Sequence, residues 1–258
     1  MSKKSQRHDQ ILSVLEMNPS IRVAEMAKEL GVSSETVRRD LTEMEDTGRI
    51  KRTYGGAVRT KAFEPALAER LQLHVKARER IARKAVERVA DVGSLFIGGG
   101  ATTLHFARAL RNIDRELTVL TPSFSIATEL STNRRIQVMA LPGIVEPKEG
   151  LVYGAETLRC IKQFRTPIAV TGASGVDEDG VSEALLHAAQ VYSAMIDAAD
   201  ETLILADASK FGNRSLQGIV HWKPSVTLIC DERPPPALWD AIRQADGNII
   251  TGRAPAAA

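Results

Sequence analysis

The 258-residue sequence predicts an α/β protein in two parts: a small unit of three helices and a β-hairpin over residues 1–60, and a larger parallel α/β unit over residues 76–258. A linker over residues 61–75 joins them. Two observations predict this division. In the first part, short stretches of helical periodicity are stopped by Pro or Gly, and a basic stretch broken by Gly55-Gly56 follows. In the second, short apolar runs alternate with amphipathic stretches, the pattern of buried parallel strands interleaved with helices.

In order along the chain, residues 7–17 place Ile11, Leu12, Val14 and Leu15 on one helical face, and Asn18-Pro19-Ser20 ends that helix. Residues 24–30 form a second short helix, closed by Gly31, the residue expected where a helix ends in a left-handed turn. The third helix begins at Ser33, a good N-cap, and carries Val37, Leu41 and Met44 at the spacing of one buried face before Gly48 stops it. The stretch RIKRTYGGAV then reads as two short strands around Gly55-Gly56. Residues 61–75 contain Pro65 and no clean periodicity, so they read as the linker.

Beyond the linker, Ile81, Ala82, Ala85, Val86 and Val89 line one helix face. Strands are expected at 94–98, 117–121, 136–141, 167–172, 202–207, 226–231 and 248–251. Helices are expected at 101–110, 125–130, 155–164, 184–198 and 237–245 between them. The acidic residues after Gly172-Ala173-Ser174-Gly175 read as a solvated loop.

Composition narrows the class. Hydrophobic residues make up 43% and charged residues 26%, which excludes a disordered or fibrous chain. No apolar run approaches the ~20 residues that span a bilayer, and MSKKSQRHDQ lacks the apolar region of a signal peptide. Cys160 and Cys230 lie in apolar segments and read as reduced core thiols, which points to a soluble cytoplasmic protein without membrane contact. The net charge of +2 resides in residues 1–60, which hold 11 Lys/Arg and 9 Asp/Glu; residues 61–258 hold 23 of each.

Three helices with a tight turn between the second and third, then a basic hairpin, make a winged helix-turn-helix. In that motif the helix after the turn enters the major groove of double-stranded DNA and offers its N-terminal residues to base edges. Ser34, Glu35, Thr36, Arg38 and Arg39 are the residue types such a helix presents: Glu accepts from cytosine N4, and Arg donates in bidentate fashion to guanine. Arg49, Lys51, Arg52 and Tyr54 would set the wing against backbone phosphates.

In open α/β sheets ligands bind at the carboxyl ends of the strands. Three such ends are rich in small polar residues. Gly98-Gly99-Gly100-Ala101-Thr102-Thr103 runs from strand through turn to helix, and the helix N-terminus with its hydroxyls makes an anion site. Thr121-Pro122-Ser123 offers Ser123 as a ligand group or an N-cap. Asp207-Ala208-Ser209-Lys210 places a carboxylate, a hydroxyl and an ammonium beyond another strand. Candidate effector residues are therefore Gly99, Gly100, Thr102, Thr103, Ser123 and Lys210. His74, His105, His187 and His221 are scattered and read as structural; nothing has metal-ligand spacing. No G-x-S-x-G, P-loop or full G-x-G-x-x-G is present, so no cofactor is expected.

Leu30-Gly31-Val32-Ser33, Thr36-Val37-Arg38-Arg39-Asp40-Leu41, Gly48 and Tyr54-Gly55-Gly56-Ala57 resemble the DNA-binding half of the DeoR family of bacterial transcriptional regulators. The resemblance extends through Arg80-Ile81-Ala82-Arg83-Lys84-Ala85, the GGGATT turn, Gly172-Ala173-Ser174-Gly175 and Asp207-Ala208-Ser209-Lys210-Phe211-Gly212. Gln163-Phe164-Arg165 and Pro234-Pro235-Pro236 belong to it as well. It implies a homo-oligomeric repressor, not an enzyme, whose C-terminal domain is related to sugar-phosphate isomerases. The implied behaviour is release of operator DNA when a phosphorylated sugar or polyol binds. By matched position, Gly100, Thr102 and Thr103 would cradle phosphate, and Lys210 would lie beside the ligand. The sequence departs from the family pattern at Gly98, Pro122, Ala188 and Tyr192. Those departures leave two alternatives open: a ligand-independent repressor with a degenerate sensor, or an active isomerase, which would need a general base.

Overall fold

The computed structural model describes residues 3–17, 21–46, 50–53, 56–59 and 66–252. The chain divides into two compact units, Met1–Pro65 and Ala66–Ala258.

The first unit contains α1 (Lys3–Met17), α2 (Val23–Glu29), α3 (Ser34–Asp46), β1 (Ile50–Thr53) and β2 (Gly56–Arg59). Ile11, Val14, Leu15, Met26, Val37, Leu41, Met44 and Ile50 form its buried core, so all three helices and the hairpin contribute. The turn after α2 closes as a Schellman motif. Gly31 takes φ 64°, the Val32 amide donates to Ala27 (3.0 Å) and the Gly31 amide to Lys28 (3.4 Å). The hairpin pairs antiparallel, with Ile50 opposite Arg59 and Thr53 opposite Gly56.

The second unit opens with α4 (Leu67–Arg70) and α5 (Val75–Arg88). These lie inside or beside the stretch expected to be linker. Residues 66–75 instead pack into the second unit: Leu67 is buried, Arg70 reaches Glu149 far along the chain, and Arg78 donates to the Arg70 carbonyl. Such pairings leave no local periodicity to read.

A seven-stranded sheet, every neighbouring pair parallel, forms the centre. Its strands are β3 (Ser94–Ile97), β4 (Leu117–Thr121), β5 (Ile136–Ala140), β8 (Thr166–Thr171), β11 (Ala199–Leu205), β13 (Val226–Cys230) and β14 (Asn248–Thr251), in the order β14-β13-β11-β8-β3-β4-β5. Alternation along each strand feeds two cores. Leu95, Ile97, Ile168, Val170, Leu203 and Leu205 face one side with α5 and α6 (Ala101–Leu110). Phe96, Ala169, Ile204 and Leu228 face the other, with α9 (Leu186–Asp197). Helices α7 (Phe124–Leu130), α8 (Ala155–Ile161) and α10 (Pro236–Gln244) complete the layers. Buried Cys230 lies in this core, and burial, reinforced by Asp231, pushes its thiol up to about 12.

Two small antiparallel additions depart from the expected alternation. One is a hairpin of β6 (Ile144–Glu146) and β7 (Leu151–Tyr153); the other is a three-stranded sheet of β9 (Gly175–Asp177), β10 (Gly180–Glu183) and β12 (Gln217–His221). The second absorbs the acidic stretch expected to be a solvated loop. Asp177 accepts from the amides of Asp179 and Gly180, closing the turn, and Arg214 pairs with both Asp177 and Asp179.

Candidate nucleic-acid interface and ligand crevice

The exposed end of α3 is fixed from beneath. Ser33 accepts from the Thr36 amide at 3.1 Å, and its hydroxyl also meets the Thr36 hydroxyl at 2.8 Å. Val37, Leu41 and Met44 are fully buried. The opposite face therefore presents Glu35, Arg38 and Arg39 to solvent, with Ser34 and Thr36 half-buried beside them. Arg38 stands 4.0 Å from Glu35, and both side chains are largely exposed, so the pair leaves the guanidinium available. Lys51 and Arg52 lie on β1; Arg49 and Tyr54 fall outside the described residues.

One anchor of this helix is absent from the sequence reading. Asp40, on the inner side of α3, is 2% exposed. It accepts from Arg7 Nε (2.5 Å) and Nη2 (3.0 Å) on α1, and lies 3.2 Å from His8 Nε2. Burial alone would raise its carboxyl, but the bonds from Arg7 and His8 outweigh burial and hold it below the usual aspartate range. Asp40 sits three residues after Val37, on the edge of the apolar stripe, which is the signal that could have exposed it.

In the larger unit the chain leaves β3 in one direction towards β4 and β5, and later returns through β8, β11, β13 and β14 in the other. Adjacent β3 and β8 thus form a topological switch point, and their carboxyl ends are where open α/β sheets hold ligands. Gly98 to Gly100 leave β3 there, and Thr171 ends β8. The three glycines do different work. A Cβ on Gly98 would stand 3.0 Å from a Tyr192 ring carbon; one on Gly99 would meet the Tyr192 hydroxyl at 3.3 Å and Leu151 at 3.4 Å. Tyr192 also donates to the Gly99 carbonyl at 3.1 Å. Gly100, with φ 125°, caps α6 and remains half-exposed. Its carbonyl accepts from the Leu104 amide (3.0 Å) and the Thr103 hydroxyl (3.1 Å). The amides ahead of Leu104 belong to the first helical turn, where no intrahelical acceptor exists, which leaves them able to donate to an anion.

The predicted ligand residues line the carboxyl ends of three strands. Thr102 is buried and Thr103 fully so, at the start of α6 after β3. Ser123, after β4, is 2% exposed and caps α7 by accepting from the Ile126 amide. Lys210 is half-buried in a 3-10 turn after β11, which is separated from β3 by β8, hence about 10 Å across the sheet. Between them stands Thr171, fully buried, whose hydroxyl has no hydrogen-bond partner among the described residues.

Charge in this region is concentrated behind the crevice. Arg78, 3% exposed, donates from Nε to Asp207 at 3.3 Å, and Asp207 accepts from the Ser209 amide at 3.2 Å. Burial of Asp207 works against its charge, but Ser209, Arg78, His74 and Lys210 together keep its carboxyl below the ordinary range. His105, on α6, is held below the usual imidazole value by burial first, then by the charges of Arg108 and Arg78; its Nε2 is buried with no hydrogen-bond partner among the described residues. Glu183 accepts from the Ser174 hydroxyl (2.8 Å) and the amides of Ala184 (2.8 Å) and Leu185 (3.2 Å), which fixes the entry to α9. Among these, Arg78 was legible in principle: it lies three residues before Ile81 and seven before Ala85, on the buried face of α5.

A helix-turn-helix unit with a capped and charged helix N-terminus, followed in one chain by an α/β unit with a glycine turn and a helix N-terminus at its switch point, defines a ligand-responsive regulator of transcription. The chain belongs to the DeoR family. Residues 7–63 match the DeoR-like helix-turn-helix domain, and residues 73–232 match the DeoR C terminal sensor domain. The chain is 29% identical over 236 residues to the glycerol-3-phosphate regulon repressor of Escherichia coli K12, covering 91% of this chain and 93% of that one. It is 31% identical to the uncharacterized HTH-type transcriptional regulator YulB of Bacillus subtilis, covering 90% and 91%. It is 30% identical to the HTH-type transcriptional repressor CsqR of E. coli K12, covering 95% and 94%. Among solved structures, ribose 5-phosphate isomerase A from Methanocaldococcus jannaschii aligns at 20% identity and a TM-score of 0.39, covering 57% of this chain and 56% of that one. No described helix is long and apolar enough to cross a membrane.

Proposed function

We propose that the protein is a sequence-specific DNA-binding repressor of transcription, controlled by a phosphorylated sugar or polyol that binds the larger unit. The observation that carries the reading is the α3 N-terminus, where Glu35, Arg38 and Arg39 stand on solvent while Val37, Leu41, Met44 and Asp40 lock the helix from below. Ser34, Glu35, Thr36, Arg38 and Arg39 read the operator; Arg49, Lys51, Arg52 and Tyr54 hold its phosphates. Helix-turn-helix regulators bind two half-sites as dimers, so the working form is a homo-oligomer, in the cytoplasm.

The effector's phosphate sits on the amides of the Gly100–Thr103 turn, with Lys210 along the same sheet edge. The names of two relatives, the glycerol-3-phosphate regulon repressor and CsqR, support the assignment to a repressor. The protein is read as a sensor without turnover. Isomerisation needs a general base, commonly a carboxylate, placed to take a substrate proton; Asp207 is engaged by Arg78 and Ser209, and Glu183 by Ser174 and two amides.

The test is Arg38→Ala with Arg39→Ala in the intact protein. Operator binding falls to the level of nonspecific DNA, about a thousandfold or more, while thermal unfolding stays unchanged because both side chains are exposed. Unaltered operator affinity at physiological salt contradicts the reading.

A further inference from the structure

Residues 66–74 form a strap that opens the larger unit, immediately after the unit carrying α3. Its helix, α4, has 4 residues, too few to persist without tertiary support. Two arginines supply that support. The Arg70 guanidinium pairs with Glu149, in the turn between β6 and β7, with both side chains largely buried. The Arg70 carbonyl accepts from the Arg78 guanidinium, whose Nε donates to Asp207. Asp207 in turn fixes the 3-10 turn that carries Ser209 and Lys210. Glu149, Arg70, Arg78 and Asp207 thus make one chain of contacts, from the strap to a wall of the ligand crevice.

The strap ends at a corner under tension. His74 takes φ 51°, in the left-handed region that residues other than glycine adopt at a cost. The residue best placed to feel a ligand is Arg78. It lies on the first turns of α5, which packs on α6, and its charge reaches His105 on α6. A guanidinium presents five donors in a fork that matches phosphate. Its neutral partner, the Arg70 carbonyl, is a weaker acceptor than a phosphate oxygen.

We propose that Arg78 reads occupancy of the crevice: a phosphorylated ligand at the α6 N-terminus draws its guanidinium from the Arg70 carbonyl and thereby frees the strap leading to the DNA-binding unit. This rests on the effector reading above. Arg78 acts as the coupling residue, and Glu149 holds the other end of the latch.

The experiment follows amide hydrogen exchange of Leu71, Gln72 and Leu73, which donate to Leu67, Glu69 and Arg70 within the strap, alongside operator affinity, all in the full chain. Without ligand, Glu149→Gln speeds exchange at these amides about tenfold and weakens operator binding about tenfold, within the usual range of allosteric coupling. Arg78→Lys, which keeps the charge but loses the fork, does the same. Arg88→Ala, which breaks an exposed pair with Glu201, changes neither. With glycerol 3-phosphate as probe, the wild-type strap exchanges as fast as that of the Glu149→Gln protein. Wild-type exchange in Glu149→Gln overturns the latch, as does faster exchange with unchanged operator affinity. Failure of the effector reading looks different: no sugar phosphate binds by calorimetry, while Glu149→Gln still loosens both strap and operator.

Discussion

Asp40 and Arg38 lie two positions apart on α3 and serve opposite ends. Arg38 faces solvent, and in the proposed role its removal is expected to change operator binding. Asp40 is buried between Arg7 and His8, and its removal changes the fold. Asp40→Ala leaves Arg7 and His8 without their buried acceptor and destabilises the small unit by about 3 kcal/mol, read as an earlier urea transition by far-UV circular dichroism. Because its carboxyl is held below the usual range, Asp40 contributes stability above about pH 4 that is lost as pH falls through its folded value. In the larger unit, Gly98→Ala puts a methyl group 3.0 Å from the Tyr192 ring. A loss of about 1–3 kcal/mol follows from overpacking; Tyr192→Leu in the same chain relieves it, so a double-mutant cycle gives a non-additive sum. The sequence marks Gly98 and Tyr192 as unusual for the family, but two residues 94 positions apart carry no local sign that they touch.

At the scale of the element, the helices and buried strands were legible because each carries its own period. Ser33, Gly31 and the Val37-Leu41-Met44 stripe give α3 its start, its preceding turn and its buried face, and all are local features. Gly31→Ala, at φ 64°, costs about 1 kcal/mol in the same urea transition. The small antiparallel sheet was illegible for the opposite reason. Its strands β9 and β10 have 3 and 4 residues, and β12 pairs with β10 from more than 30 positions away, after α9 and β11. Two glycines there have a strong requirement: an added Cβ on Gly175 would meet the Asn213 carbonyl at 2.2 Å, and one on Gly180, at φ 146°, would meet the Val220 carbonyl at 2.3 Å. Gly180→Ala should therefore break the β10–β12 pairing and expose Trp222, read as a red shift of tryptophan emission.

For the whole molecule, the parallel sheet was expected from alternation alone, but its order was not. The switch point between β3 and β8 arises from strand order, which no run of residues encodes, so the sequence indicated glycine turns and polar strand ends without showing which adjoin. It left the buried charge network of Arg78, Asp207, Arg70 and Glu149 unseen for the same reason. Asp207 in that network and His105 make the larger unit sensitive to acid. His105 is depressed by burial, so the folded state binds its proton more weakly than the unfolded chain; stability is complete above about pH 6.5 and declines as pH falls below it. His105→Leu flattens the decline in melting temperature between pH 7 and 5.

In the proposed regulator, one chain joins an operator-reading helix to a phosphate-reading sensor unit. Fluorescence anisotropy of DNA from upstream of the protein's own gene, titrated at fixed salt with and without glycerol 3-phosphate and a panel of sugar phosphates, tests it directly. Tight, salt-dependent binding is expected, relieved by one phosphorylated compound. Tight binding that no phosphorylated compound disturbs would contradict control through the crevice, and binding no tighter than to unrelated DNA would contradict the operator-reading helix.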